Sequence, residues 1–246
     1  MSWSSYYGFA RSWLTYRGQF WRRARMREFY GQFVPEGGLC FDLGAHVGNR
    51  VSCWRELGAS VVAVEPQPLF ASYLRRFVAD SEVEVLECAV GSTPGRATFY
   101  TSRKTPTLST LSRDWTERVS RDERFARADW DAEAEIDVIT LDQLVERYGF
   151  PSFCKIDVEG AELEVLEGSS HPLPALSFEF IPAACEDAVA VLDRLAELGS
   201  YRFNWSFSET MRWERAGFVD ASAAREFLQT LPRMSASGDL YACLAR

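Results

Sequence analysis

The sequence predicts an α/β fold: a doubly wound, seven-stranded, mostly parallel sheet with a terminal antiparallel strand. Three observations predict it. From residue 38 onward, short apolar runs alternate with segments of helical period. Glycine or proline closes most segments, as in "VVAVEP", "WRELG" and "EVLEG". A glycine-rich turn, "DLGAHVG", joins the first apolar run to the first helical one. Strands that alternate with helices pair in parallel through right-handed crossovers, and the result is an open sheet covered on both faces.

The elements follow in order. "GLCFDLG" is a strand, and the next segment sets Val47, Val51, Trp54 and Leu57 on one helical face, stopped by Gly58. "SVVAVEP" is a buried strand ending at Pro66. "PLFASYLRRFVAD" is a helix with Leu69, Phe70, Tyr73, Leu74 and Phe77 on its apolar side. "VEVLECAVG" reads as a third strand. "RATFYTS" and "EIDVIT" read as strands, the second running into the helix "LDQLVERYG". "SFCKID" and "ALSFEF" are strands, each followed by a helix closed at Gly168 or Gly199. "YRFNWSF" and "DLYACLA" follow as a terminal pair, which with the parallel "GLCFDLG", "SVVAVEP", "VEVLECAVG", "SFCKID" and "ALSFEF" makes the seven. Between "RATFYTS" and "EIDVIT", the charged stretch of about 102–134 is long for a compact domain, and a loop of that length is usually functional or disordered. Its Trp115 and Trp130 argue that part of it folds over something, and with Trp205 and Trp213 they suggest a lid over an acceptor.

Composition bounds the function. A chain of 246 residues with 47% hydrophobic and 25% charged residues is ordinary for a globular domain. A net charge of −8 argues against wholesale binding to a nucleic-acid backbone. The six cysteines are scattered without a CxxC pair, so the expectation is a reducing cytoplasm, with neither a disulfide frame nor a zinc site. No secretory signal or membrane-length apolar run is read. Residues 1–37 differ from the domain at 38–246: an aromatic, basic and helical extension with Arg11, Arg17, Arg22, Arg23, Arg25 and Arg27 against Glu28. Such a segment lies on an anionic membrane as a weak peripheral contact through residues 1–30, or packs its aromatics on the domain. Gly8 and Gly18, which interrupt a long amphipathic helix, favour packing.

In open parallel sheets, ligands collect outside the carboxyl ends of the strands. At the first such end, Asp42 stands ahead of Gly44 and Gly48. A pyrophosphate would be repelled by that carboxylate, by about 1 to 4 kcal/mol at contact. S-adenosylmethionine, with an ammonium, a sulfonium and a carboxylate that accepts from a helix start, meets all the demands of the turn. Glu65, 17 residues after Gly48, sits where an acid accepts ribose hydroxyls. Cys88 and Ala89 end the third strand beside the expected adenine.

The blocks "FDLGAHVGN", "VVAVEPQP", "AVGSTPGRATFY", "STLS", "VITLDQL", "KIDVEGAELEVLEG" and "SFEF" together resemble the FkbM-type S-adenosylmethionine-dependent methyltransferases. The resemblance runs from about Gly38 to Phe180 and more loosely to the end. It implies a class I methyltransferase (Rossmann-like) fold, and O-methylation of a hydroxyl on a sugar, glycan or natural product. The expected cofactor-binding set is Asp42, Gly44, Ala45, His46, Gly48, Asn49, Glu65, Pro66, Cys88, Ala89 and Asp157.

A hydroxyl acceptor must lose a proton, so a positioned base helps. "CKIDVEG" ends the strand beside the first, with Lys155 and Asp157 on one face by alternation. Asp157 is the first candidate for base or acceptor binding, then Glu179 and Glu159; the alternative is a structural Lys–carboxylate network. His46 is a further candidate, and His171 reads as a loop residue. Clustered carboxylates can bind Mg²⁺, but nothing in the sequence requires a metal, and none is expected. An NAD-type oxidoreductase is the competing enzyme, disfavoured by Asp42 and a missing third glycine. An N-methyltransferase is disfavoured because no Asn/Asp-Pro-Pro-aromatic signature follows the fourth strand. A membrane-surface adaptor without turnover is disfavoured by the intact Asp42, Gly44, Gly48, Glu65 and Asp157. The expected partner is a small-molecule or glycan acceptor, with no nucleic acid.

Overall fold

The computed structural model describes residues 9, 13, 21–102, 105–120, 130 and 132–245. The expectations resting on Gly8, Arg11, Arg17 and Gly18 lie outside them. The helices are α1 (Trp21–Tyr30), α2 (Asn49–Glu56), α3 (Pro68–Phe77), α4 (Arg113–Val119), α5 (Leu141–Tyr148), α6 (Glu162–Glu167), α7 (Cys185–Leu198) and α8 (Ala221–Thr230). The main-sheet strands are β1 (Leu39–Leu43), β2 (Ser60–Val64), β3 (Val83–Leu86), β7 (Phe153–Ile156), β8 (Ala175–Phe180), β9 (Tyr201–Phe207) and β10 (Gly238–Leu244). Three further strands are β4 (Ala89–Val90), β5 (Gly95–Thr101) and β6 (Ala132–Ile139).

The seven strands run in the order β3-β2-β1-β7-β8-β10-β9. The first five are parallel to their neighbours, and β10 is antiparallel to both β8 and β9. This is the predicted α/β sheet with its terminal antiparallel strand. The chain order reverses beside β1, where β2 lies on one side and β7 on the other. That switch point is where such sheets open a crevice.

Alternation along each strand divides the core in two. Phe41, Leu43, Cys154, Ile156, Phe178 and Leu240 belong to the cluster that α5 to α8 cover. Cys40, Phe153, Ala175 and Tyr241 belong to the cluster covered by α1 and α2. Asp42, Lys155 and Asp239 lie two residues from members of the second set, and Glu179 four, so all of them face α1 and α2. The polar residues of four strands are therefore gathered on one face, at one end.

The N-terminal extension takes the packing alternative where it is described. Met26, Phe29 and Tyr30 are buried. Phe29 lies edge-on to Tyr241 at 5.1 Å, and Tyr30 edge-on to Trp54 at 5.5 Å. Arg23 and Arg27 reach Glu56 on α2 at 3.8 and 3.3 Å.

Two readings need correction. "VEVLECAVG" is two strands in different sheets: β3 pairs with β2, whereas β4 pairs with β6 in a small sheet ordered β4-β6-β5. The chain changes partner at Glu87 and Cys88, where no glycine or proline marks the change. In α3 the apolar stripe is narrower than its pattern, because Phe70, Ala71 and Leu74 are buried but Phe77 is 66% exposed. The helix packs on the short edge strand β3, which leaves its last turn uncovered.

Burial of α1 predicts a stability effect. Phe29→Ala should lower stability by about 3 to 5 kcal/mol, the usual cost of truncating a buried aromatic. Urea denaturation followed by circular dichroism checks it, and a loss under about 1 kcal/mol would mean that α1 is only loosely docked.

Candidate active site

At the switch point lies a cavity of about 400 Å³. Its first wall is the turn after β1. Gly44 and Ala45 both donate their N–H groups to Val64 O, at 2.9 and 3.0 Å, which ties the turn to the end of β2. Gly44 has φ +87°, and a Cβ there would overlap the backbone carbonyl of Asp157, so only glycine lets β1 and β7 close up at this point. His46 (φ +49°) and Gly48 (φ +69°) also take left-handed backbone, and Gly48 leads into α2.

Glu65 locks that wall to the next. One carboxylate oxygen accepts from the N–H of His46 at 2.9 Å and the other from that of Gln67 at 2.8 Å. The side chain is buried yet lines the cavity. Burial pushes its pKa up to about 7, against the downward pull of the two backbone donors. Ala45, His46, Asn49, Pro66, Cys88 and Ala89 line the same cavity. Asp42 and Gly48 are not part of the wall. Gly48 sits against Leu74 and Val78, and Asp42 is buried behind the turn, pushed up to about 6 by burial with Arg50 pulling it back. Alternation on β1 turns that carboxylate under α2 instead of outward.

The floor is a buried charge network. Lys155, with no exposed surface, donates to Asp239 at 2.7 Å and lies 3.4 Å from Asp157. Arg50, on the first turn of α2, donates to Glu209 at 2.6 Å and to the Tyr30 hydroxyl at 3.2 Å. It also stands 3.8 Å from Asp157 and 3.9 Å from Asp239. Two cations thus hold three carboxylates from three separate strands and loops. Glu209 belongs to a strained segment, since Ser208, Glu209 and Met211 have φ of +49°, +52° and +53°. Arg50 grips that segment from across the cavity.

Glu159 and Glu179 complete the site with Asp157. Carboxylate oxygens of the three lie within 4.8 Å of one another, close enough to share a hard cation or a proton. Burial pushes both glutamates well above the usual carboxylate range, aided at Glu159 by repulsion from Glu179 and Asp157 and at Glu179 by repulsion from Asp157. Among the described residues neither forms an ion pair. His46 is the opposite case. Burial, then the nearby Arg50, lowers its pKa to about 3, and its ring lies 4.3 Å from that of Phe70. It is a neutral imidazole and a weak base at neutral pH.

The 102–134 stretch is more ordered than a solvated loop where it is described. Trp115 is buried with its ring on Gly160, where a Cβ would overlap it. Trp130 donates to Leu108 O at 2.7 Å and meets Trp115 edge-on at 6.1 Å. Pro106, Thr107, Ser109 and Leu111 form the outer wall of the cavity. Trp205 and Trp213 do not belong to a lid. Trp205 stacks on Phe227 at 4.0 Å in the α8 core, and Trp213 packs on Phe29 at 4.4 Å. Sequence reasoning missed Tyr30, Arg50, Glu209 and Asp239. Arg50 directly follows the glycine motif, which is a signal; Glu209 offers none.

A protein-family model described as the methyltransferase FkbM domain matches residues 42–203. No curated protein matches the chain. Solved structures with a likeness to it include the precorrin-6Y C5,15-methyltransferase of Geobacter metallireducens GS-15, with TM-score 0.47 and 11% identity over 91% of this chain and 86% of that one. Another is fibrillarin from Aeropyrum pernix, solved with bound S-adenosyl-L-methionine, with TM-score 0.43 and 10% identity over 85% of this chain and 68% of that one. The family match begins within β1, takes in the glycine turn, Glu65 and the three clustered carboxylates, and ends in β9. The chain belongs to the FkbM methyltransferase family.

Proposed function

We propose that the protein uses S-adenosylmethionine to methylate a hydroxyl of a polar acceptor such as a sugar or glycan. The observation that carries this reading is the charge of the cavity. Six carboxylates and two arginines line it, beside a glycine turn that opens a helix. A diphosphate would be repelled by such a wall, and a sulfonium with an ammonium would be attracted. Bound there, the cofactor would supply a methyl group for in-line attack by the acceptor oxygen.

The chain's own groups then divide the work. Glu65, held by two backbone N–H groups, keeps lone pairs for the ribose hydroxyls. Asp157, between Lys155 and Arg50, orients its neighbours. The Glu159–Glu179 pair forms no ion pair among the described residues, and its carboxylate oxygens stand close enough to share a proton. One of the two carboxylates would accept the proton of the acceptor hydroxyl as it is methylated. Ser208 and Ser237, also on the wall, suit a polyhydroxylated acceptor better than an apolar one.

Calorimetry tests the cofactor. Both S-adenosylmethionine and S-adenosylhomocysteine should bind the folded protein, and failure of both rejects the proposal. Glu65→Ala should weaken binding by at least about tenfold with the fold intact, the scale of a hydrogen bond to a charged group; unchanged affinity removes Glu65 from the site.

The raised pKa of Glu65 sets a pH dependence. Below about 7 the folded carboxyl is protonated and a poorer acceptor, so affinity should rise from pH 6 to pH 8 and flatten in Glu65→Gln. A pH-independent affinity in the wild type would contradict that role.

Once an acceptor is found by its gain of one methyl mass, Glu179→Gln should lower turnover about 10²- to 10⁴-fold at unchanged cofactor affinity. Asp157→Asn should lower turnover by about tenfold or more with cofactor affinity within a few fold. If Asp157→Asn abolishes turnover and Glu179→Gln is harmless, the two roles are exchanged.

A further inference from the structure

Packing of the N-terminal extension leaves part of it facing outward. Ahead of α1, the Phe9 ring lies 5.2 Å from that of Phe70 and 5.1 Å from that of Tyr73, both on α3. Trp13 donates its indole N–H to the Tyr73 hydroxyl at 2.8 Å. Yet Trp13 stays 40% exposed. Phe77, one helical turn beyond Tyr73 and 5.4 Å from it ring to ring, is 66% exposed. Trp13, Tyr73 and Phe77 thus form one aromatic stripe, open to solvent at both ends and fixed at its middle by a hydrogen bond. Single exposed aromatics need no explanation, but a joined run of them marks a contact surface.

The charge around the stripe is a second observation. Arg76 stands over the Phe77 ring, 5.4 Å from its centroid. Arg22 and Arg25 are exposed on α1. Among the described residues none of these three arginines forms an ion pair. Nearby acids are already taken: Glu56 by Arg23 and Arg27, Asp80 by Arg55, and Glu87 by Arg75. A chain of net charge −8 therefore keeps unpaired cations on this side. Arg22 also lines the cavity, and His46 of the cavity wall meets Phe70 at 4.3 Å. The basic, aromatic patch is thus a rim of the cavity mouth.

We propose that this rim docks on an anionic lipid bilayer, with Trp13 and Phe77 entering the interface and Arg22, Arg25 and Arg76 meeting the headgroups. Tryptophan and tyrosine rings, apolar in body and polar at one edge, settle at headgroup depth, and arginines lay their stems along such rings while their charge stays wet. Near an anionic surface each arginine strengthens attachment about fivefold, an effect that salt screens within a Debye length. No described helix is long and apolar enough to cross a membrane, so the attachment is peripheral. Docked in this way, the cavity mouth opens at the bilayer surface. The proposal goes beyond the methyl-donor reading and does not depend on it.

Sedimentation of the full chain with vesicles tests it. At about 0.1 M salt, vesicles of phosphatidylcholine with about one-third phosphatidylserine should carry the protein down, and pure phosphatidylcholine vesicles should not. Phe77→Glu should weaken binding at least about tenfold, and Arg25→Glu combined with Arg76→Glu should weaken it further, since each reversal removes a cation and adds an anion. Because Phe77 is exposed, Phe77→Glu should keep the wild-type melting temperature, which separates lost docking from lost folding. No sedimentation with either vesicle, equal binding to both, or variants that bind like the wild type would each overturn the proposal. So would a dimer in sedimentation velocity that Phe77→Glu dissolves, because the patch would then belong to a second copy of the chain. Binding of S-adenosylmethionine in the absence of vesicles is a separate measurement, so either reading can fail alone.

Discussion

The ion pairs of Lys155 and Arg50 with Asp157, Asp239 and Glu209 are the interaction on which the site depends. Burial alone would lower the pKa of Lys155, but Asp157 and Asp239 outweigh it and raise the pKa instead. The same contest is won at Arg50 by Glu209, Tyr30, Asp157 and Asp239. Neither cation could be buried at this depth without large cost in the absence of its partners, since removing one member of such a buried pair typically costs about 3 to 5 kcal/mol. The pairs also join distant parts of the chain: Lys155 on β7, Asp239 on β10, Arg50 on α2 and Glu209 after β9. A network of this kind is a weak source of net stability and a strong constraint on geometry.

That constraint explains why the rest of the molecule is arranged around one sheet end. One face of the sheet is largely apolar under α5 to α8, and it can be rigid without chemistry. The other carries an apolar base under α1 and α2 and then, at the strand ends, the charged groups. Tyr30 is the joint between these regions, buried among aromatic rings while its hydroxyl accepts from Arg50. The N-terminal helix is thus part of the support for the site. On the far side, Trp115 plays a comparable part by lying on Gly160, next to Glu159.

Much of the site was legible because strand-end chemistry is local. The glycine turn, Glu65, Asp157, Glu159 and Glu179 each stand at the end of an apolar run, and parallel strands bring those ends together. The turn residues could therefore be placed from "DLGAHVG" alone. The tryptophans show the limit of this reasoning. Trp115, Trp130, Trp205 and Trp213 look alike in sequence, but Trp115 lies on the 157–160 turn with Trp130 against it, and the others fill opposite cores. Large apolar side chains carry no local sign of which surface they meet.

Periodicity and punctuation alone determined the α/β class, the seven strands of the main sheet and the end of it that carries the chemistry, because these follow from contacts a few residues apart. Tertiary structure decided which charges meet. Alternation could place Asp42 and Lys155 on one face, but not bring Arg50 of α2 to Glu209, a residue 159 positions away. It also decided that "VEVLECAVG" splits between two sheets. Coulomb interactions and strand pairing act through space, so sequence separation does not encode them, and the depth that shifts each pKa exists only once the sheet and its helices have closed.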